Sequence, residues 1–168
     1  MNLRIGFGYD VHKLAKGHDL CLGGIVIPHK KGTVGHSDGD VLIHSICDAL
    51  LGAANLHDIG YHFPDNSEEY KGIDSKILLQ KTIELLNDKD YEIINIDSTI
   101  CLEEPKIKDS IPDMKKILAG VMKQNVEDIS IKATTSEKMG FIGKTNGIAA
   151  YAIALIHKPT KELKVESL

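Results

Sequence analysis

From Arg4 to Leu14, bulky apolar residues alternate with small or polar ones: Ile5, Phe7, Tyr9 and Val11 on one side, Gly6, Gly8, Asp10 and His12 on the other. A period of two predicts a strand with one bulky face and one face that is small at first and polar later. Cys21 to Ile27 predicts a second strand, broken by Gly23-Gly24 and ended by Pro28. Beyond the Lys31 to Asp38 loop the spacing turns helical, from about Asp38 to Asn55, through Val41, Leu42, Ile46, Ala49, Leu50 and Ala53. Ser37 or Asp38 is the expected N-cap.

Asp58 to Gly72 predicts a loop, with Phe63-Pro64-Asp65-Asn66 as its turn signal. A helix is expected over Ser75 to Asp88, burying Ile77, Leu78, Ile83 and Leu86, then a strand over Tyr91 to Leu102. Ser110-Ile-Pro-Asp113 resembles a capping box opening a further helix that ends near Gln124. Ile129 to Thr135 and the strongly apolar Gly147 to Lys158 complete the strands. Strands and helices interleave along one chain, so the expected architecture is an α/β (α+β) sandwich, a mainly four-stranded sheet with helices on one face. Part of such a sheet is left uncovered, and oligomerisation is one way to cover it.

The 168 residues fit a single domain, with residues 1–3 and 159–168 expected as flexible termini. Only 5% of residues are aromatic, with no Trp, and the formal net charge is −4. Both argue against a nucleic-acid binder, which needs exposed rings or a basic surface. Cys21, Cys47 and Cys101 are odd in number and form no CxxC pair, so a thiolate metal site or disulfide framework is not expected. Met1 to Ile5 runs directly into a strand pattern, and no apolar run approaches the roughly 18 residues needed to span a bilayer. A cytoplasmic protein without a membrane partner is the expectation.

Asp10 and His12, at i and i+2 of a strand, present a carboxylate and an imidazole to the same side. Both are ordinary zinc ligands, and a catalytic zinc takes three protein ligands plus an open position. His44, on the helix after His36-Ser-Asp-Gly-Asp40, is the best third ligand, with Asp48 one turn on as a carboxylate to orient it. Spacing alone leaves two readings open: a metal site, or a surface pair and a hydrogen-bonded core histidine. His18, His29, His57, His62 and His157 show no comparable grouping.

Six segments in order resemble one family: Arg4 to His12, His36 to Val41, Asp58-Ile-Gly with Phe63-Pro-Asp65, Pro105-Lys106, Ala133 to Phe141, and Gly147 to Ala149. The chain is similar to the 2-C-methyl-D-erythritol 2,4-cyclodiphosphate synthases of the non-mevalonate isoprenoid pathway. The resemblance implies a lyase that converts 4-diphosphocytidyl-2-C-methyl-D-erythritol 2-phosphate to the cyclic diphosphate and CMP. It also implies Zn2+ on Asp10, His12 and His44, a second divalent ion (Mg2+ or Mn2+) with the substrate, and a homotrimer with active sites between subunits.

By the same resemblance His36 and Thr135 stabilise the transition state. Asp10, His12, His36, Ser37, Asp58, Ile59, Gly60, Phe63, Pro64, Asp65, Asn66 and Ser67 surround the methylerythritol phosphate end. Leu102, Pro105, Lys106, Ile107 and Lys108 hold the cytidine and its phosphates, and Thr134, Thr135, Ser136 and Glu137 follow. Phe141 and Lys144 would face a central cavity on the three-fold axis. Many members carry Gly-x-Gly-Arg-x-Glu-Gly there, whereas this chain has Gly143-Lys-Thr-Asn-Gly147, which removes an Arg fork and a carboxylate. Two other classes fit the triad: a zinc hydrolase, which needs a general base such as Glu137, and a non-catalytic trimer that binds a metal or an isoprenoid phosphate.

Overall fold

The computed structural model describes residues 2–159. Strand β1 (Asn2–Ala15) is followed by β2 (Leu20–Leu22), β3 (Ile25–Ile27) and β4 (Gly32–Val34). Helices α1 (Val41–Ala54), α2 (Ile59–His62) and α3 (Ser75–Asn87) lead to β5 (Glu92–Cys101). Helix α4 (Ile111–Met122), β6 (Ile129–Thr134), α5 (Gly140–Gly143) and β7 (Gly147–Lys158) complete the chain. The main sheet has the order β4-β1-β7-β5-β6, four long strands with short β4 at one edge. Only β5 and β6 are parallel, joined by a crossover through α4.

The expected strand over Cys21 to Ile27 is instead a hairpin of its own, β2 against β3. Gly23 and Gly24 take φ of 61° and 80°, the two left-handed residues that a tight hairpin turn requires. The glycine pair is therefore the turn and not a break within one strand. Asn2 and Leu3, expected in a loose terminus, pair with Lys158 and His157 across β1 and β7. The stretch 160–168 lies outside the described residues.

Sheet and helices meet along an unusually small seam. Gly6, Gly8, Asp10 and His12 of β1 lie in register with Ala154, Ala152, Ala150 and Ile148 of β7. Helix α1 packs across both strands. It comes so close that a Cβ on Gly6 would lie 1.9 Å from the carbonyl oxygen of Ala49, and one on Gly8 1.9 Å from that of Ser45. The glycines therefore make room for the helix backbone itself. Leu42, Ile46, Leu50, Ile96, Ile100, Met114 and Leu118 belong to the one buried cluster between the sheet and α1, α3 and α4.

The bulky face of the sheet is bare. Ile5 and Phe7 are 70% and 63% exposed, and Leu3, Tyr9, Val11, Tyr151 and Ile153 are exposed beside them. Tyr151 bridges Tyr9 and Phe7, with ring centroids 5.0 and 6.3 Å away. The alternation in β1 thus has the sense opposite to an isolated domain: the small residues are buried and the large ones face outward.

Helix starts differ from expectation in two places. Asp40, not Ser37 or Asp38, caps α1: Oδ1 accepts from the Ile43 N–H at 3.0 Å and Oδ2 from the Gly24 N–H at 2.7 Å. One buried carboxylate so joins the hairpin turn to the helix, and burial raises its pKa although these bonds oppose the rise. Ser110 precedes α4 but makes no side-chain cap, since it ends a 3-10 turn in right-handed helical geometry (φ −88°, ψ −19°) and not in the extended form a capping residue takes. The Asp58 to Gly72 loop contains the short α2, capped by Asp58 through the Tyr61 N–H at 2.9 Å, and a 3-10 turn over Glu68–Tyr70.

Candidate metal centre and the pockets around it

Asp10 and His12 project from β1 on the side of α1, and His44 descends from the first turn of that helix to meet them. Asp10 Oδ2 lies 3.0 Å from His12 Nε2 and 2.9 Å from His44 Nδ1, and the two nitrogens are 3.1 Å apart. Burial disfavours the charge on Asp10, yet hydrogen bonds from the two imidazoles outweigh it and hold the carboxyl well below the usual range. Burial likewise opposes a charge on His12, and the Asp10 carboxylate overcomes it, so the imidazole pKa is raised.

Two imidazole nitrogens and a carboxylate oxygen converging on one point form the donor set of a transition-metal site. A tetrahedral zinc with bonds of roughly 2.0–2.1 Å sets its ligands roughly 3.3 Å apart. The observed triangle is slightly tighter than that, and the residues fit such an ion. The ring of His12 also hydrogen-bonds the backbone at Val34, which leaves Nε2 to face the triad. Asp48 does not orient His44 as expected. Its Oδ1 accepts from the Ile59 N–H at 2.8 Å and so anchors α2, while the far side of His44 meets serine hydroxyls.

The triad opens into a cavity of about 370 Å³. His36, Ser37, Ile59, Gly60, Phe63 and Asp65 line it as expected. Tyr70, Ile73 and Leu78 line it too, although the sequence singled out none of them for the site. His36 Nε2 lies 3.0 Å from the Ser67 carbonyl oxygen, which can only accept. The Nε2 proton is thereby committed, and a second donor on this ring requires the cationic form. A separate cavity of about 160 Å³ is lined by Leu102, Pro105, Lys106, Ile107, Lys108, Thr134 and Thr135, with the Glu104–Pro105 peptide cis beside it. Within one chain the two expected transition-state residues, His36 and Thr135, therefore stand in different pockets.

The YgbB family profile matches residues 3–157. The chain belongs to the YgbB family. A 2-C-methyl-D-erythritol 2,4-cyclodiphosphate synthase from Bacteroides fragilis is 62% identical over 158 residues, which is 94% of this chain and 99% of the relative. One from Porphyromonas gingivalis is 60% identical over 153 residues, 91% of this chain and 94% of its own. Among solved structures, the bifunctional IspDF from Campylobacter jejuni has a TM-score of 0.90 at 38% identity, over 94% of this chain and 42% of that one. IspF from Plasmodium falciparum, in a CDP complex, has a TM-score of 0.83 at 35% identity, over 95% of this chain and 98% of its own.

In this YgbB chain the remaining expected residues line neither cavity. Asp58 is held as the cap of α2, and Ser67 caps the 3-10 turn through the Glu69 N–H. Pro64 and Asn66 sit in the turn between them. Glu137 Oε1 accepts from the Thr135 hydroxyl at 3.1 Å, and the Ser136 N–H donates to Glu103 Oε2 at 3.3 Å. Phe141 packs its ring against Gly147 at the start of β7, and Lys144 ends α5. His57 stacks on Tyr61, His62 bonds the Leu56 carbonyl and His157 pairs with Glu92, so three of the ungrouped histidines have local structural partners.

Proposed function

We propose that this YgbB chain converts 4-diphosphocytidyl-2-C-methyl-D-erythritol 2-phosphate to 2-C-methyl-D-erythritol 2,4-cyclodiphosphate, releasing CMP, as a phosphorus–oxygen lyase. The observation that carries the reading is the Asp10, His12, His44 triad opening into a pocket lined by His36, Ser37, Ile59 and Asp65. In the reaction an oxygen of the 2-phosphate bonds to the β-phosphorus, the β-phosphorus to bridging-oxygen bond breaks, and CMP departs with that oxygen. Phosphoryl transfer of this kind needs alignment and charge neutralisation more than covalent help.

Asp10 Oδ2, His12 Nε2 and His44 Nδ1 would hold the metal, which we assign as Zn2+ from the nitrogen-rich donor set. When bound, such an ion supplies Lewis-acid polarisation and a fixed seat for a phosphate oxygen. His36 and Ser37 border the same cavity; Ser37 offers a hydrogen bond to the 2-phosphate end, and His36 would donate there on releasing the Ser67 carbonyl. The Ile59 and Gly60 backbone, held by Asp48, and Asp65 border the sugar, where a carboxylate accepts from hydroxyls. Lys106 brings a positive charge to the second cavity, and the Leu102 to Lys108 backbone there can read a pyrimidine edge. Thr135 would donate to the transferring phosphate on releasing Glu137. Mg2+ or Mn2+ enters with the diphosphate, as hard cations with few protein ligands do.

The separation of His36 from Thr135 and the bare apolar sheet face support one arrangement: a homotrimer in which sheet faces meet and each site joins the triad pocket of one subunit to the Lys106 pocket of the next. Both apolar burial and completion of the site favour it. Phe141 and Lys144 would then stand near the three-fold axis. Residues 2–159 act as one domain, and the unpaired Cys21, Cys47 and Cys101 suit the reducing cytoplasm. A zinc hydrolase is disfavoured because Glu137, its candidate base, does not line the triad pocket and instead accepts from Thr135, which lines the other cavity.

The deciding assay incubates the protein with the diphosphocytidyl substrate and Mg2+, following CMP and the phosphorus spectrum. CMP with a cyclic diphosphate is expected. A linear phosphate product would mean hydrolysis, and no turnover would sink both catalytic readings.

A further inference from the structure

His44 and Asp48 stand one turn apart on α1, about 6 Å along its axis. His44 reaches the triad, while Asp48 Oδ1 accepts from the Ile59 N–H at 2.8 Å. A backbone N–H only donates, so the sense of this bond is fixed. Ile59 opens α2, where an amide has no acceptor within its own helix. Asp58 takes the Tyr61 N–H at 2.9 Å and Asp48 takes that of Ile59, so carboxylates from two elements seat one turn. Four residues are far too few to hold a helix by themselves.

The chain returns to Asp48 by reversing sharply after α1. Asn55 and His57 take φ of 58° and 66°, a left-handed form that residues other than glycine keep only where contacts enforce it. The Leu56 N–H donates to the Leu51 carbonyl at 2.9 Å, and His62 Nε2 donates to the Leu56 carbonyl at 2.7 Å. These bonds fix where the reversal begins. Among the described residues, only the Asp48 bond ties residues 57–63 to α1 itself. Ile59 and Gly60 wall the cavity into which the triad opens, whereas Asp48 does not line it. We propose that Asp48 is a positioning residue: it fixes the Ile59 and Gly60 wall relative to the triad and so aligns the sugar end of the substrate with the metal centre. This role rests on the proposed reaction and adds to it a residue that touches neither substrate nor metal. One helix supplies both reference points, so the metal ligand and the wall part company only if Asp48 lets go. A wall that borders the sugar acts on the bound substrate before and during the reaction alike, so its loss is read in KM and not in kcat.

Asp48→Ala should raise KM for the diphosphocytidyl substrate about tenfold, hold kcat within about twofold and keep the zinc content of the wild type. Asp48→Asn, whose amide oxygen still accepts from the Ile59 N–H, should return KM close to the wild-type value. General loosening of α1 would lower kcat and zinc content together with raising KM, because His44 rides on the same helix, and that pattern overturns the proposal. A folded Asp48→Ala with unchanged KM overturns it, as does an Asp48→Asn as impaired as the alanine variant. Hydrogen exchange of the full-length wild type needs no variant: the Ile59 amide should exchange roughly a hundredfold or more slowly than in an unstructured chain. An unprotected Ile59 amide overturns the proposal even where Asp48→Ala fails to fold. Absence of turnover by the wild type would sink the proposed reaction instead, and amide exchange would still decide whether Asp48 holds the wall.

Discussion

Asp10 Oδ2 and His44 Nδ1 stand 2.9 Å apart although 34 residues of chain separate them. The contact exists because α1 lies directly on β1, so a residue in the first turn of the helix reaches the polar end of the strand. Removing His44 should therefore cost the metal and leave the fold. His44→Ala is expected to bind no stoichiometric zinc and to lose about a thousandfold or more in CMP release, roughly 4 kcal/mol of transition-state stabilisation. Metal analysis beside the product assay checks this, and wild-type turnover in the variant would refute the ligand assignment.

A methyl group at Gly8 has nowhere to go, since its Cβ would lie 1.9 Å from the Ser45 carbonyl oxygen. Gly8→Ala must push α1 off the sheet, and overpacking of this kind costs about 1–3 kcal/mol or more. Urea unfolding should show the loss of stability, together with weaker metal binding, because His44 rides on the displaced helix. Gly52→Ala, where the added Cβ meets nothing within 4 Å, is the matched control.

Subunit mixing tests the shared site. His44→Ala and Thr135→Ala homotrimers should each be inactive. Randomly reassembled mixtures should recover about a quarter of wild-type activity, because one interface in four joins an intact triad to an intact Thr135. No recovery after demonstrated exchange would place both residues in a site made by one chain.

The bare sheet face gives a simpler outcome. Phe7→Glu puts a carboxylate among Ile5, Tyr151 and Ile153, where burial in an assembly would be penalised. Sedimentation should show the wild type as a trimer and this variant as a smaller species at the same concentration.

Cys47 is wholly buried in α1, and burial pushes its thiol up to about 12 from 9.0. A raised thiol pKa contributes stability that is complete below the unfolded value and is lost as pH rises. Between about pH 9 and 12 the unfolded chain ionises first, and the folded state should lose about 1.4 kcal/mol per pH unit from this group. Unfolding midpoints measured across that range should fall less steeply in Cys47→Ala.

Much of this was readable in the residues, and the unread parts share a cause. The limits of β7 follow directly from an apolar run between Gly147 and Lys158, and the two-residue period of β1 placed Asp10 and His12 on one side. The cap of α1 was not readable, because Ser37, Asp38 and Asp40 are all good caps and only contact with Gly24 selects Asp40. Gly23-Gly24 carried a hairpin signal that two short flanking runs made look like one strand. Asp48 had the correct spacing to reach His44, but the Ile59 N–H claims it. The contact of Ser75 with His44 had no signal at all, since it exists only where α3 begins beside the Asp38 loop.

The glycine and alanine seam beneath α1 has a consequence for how this protein tolerates change. In most domains a helix rides on side chains, and each altered methyl group shifts it by a fraction of an ångström. Here the backbone of Ser45 and Ala49 rests on Gly6 and Gly8, with no deformable layer between them. The distance from helix to strand is thereby fixed by the chain itself, and the geometry of the three ligands is insulated from drift in the volume of the core.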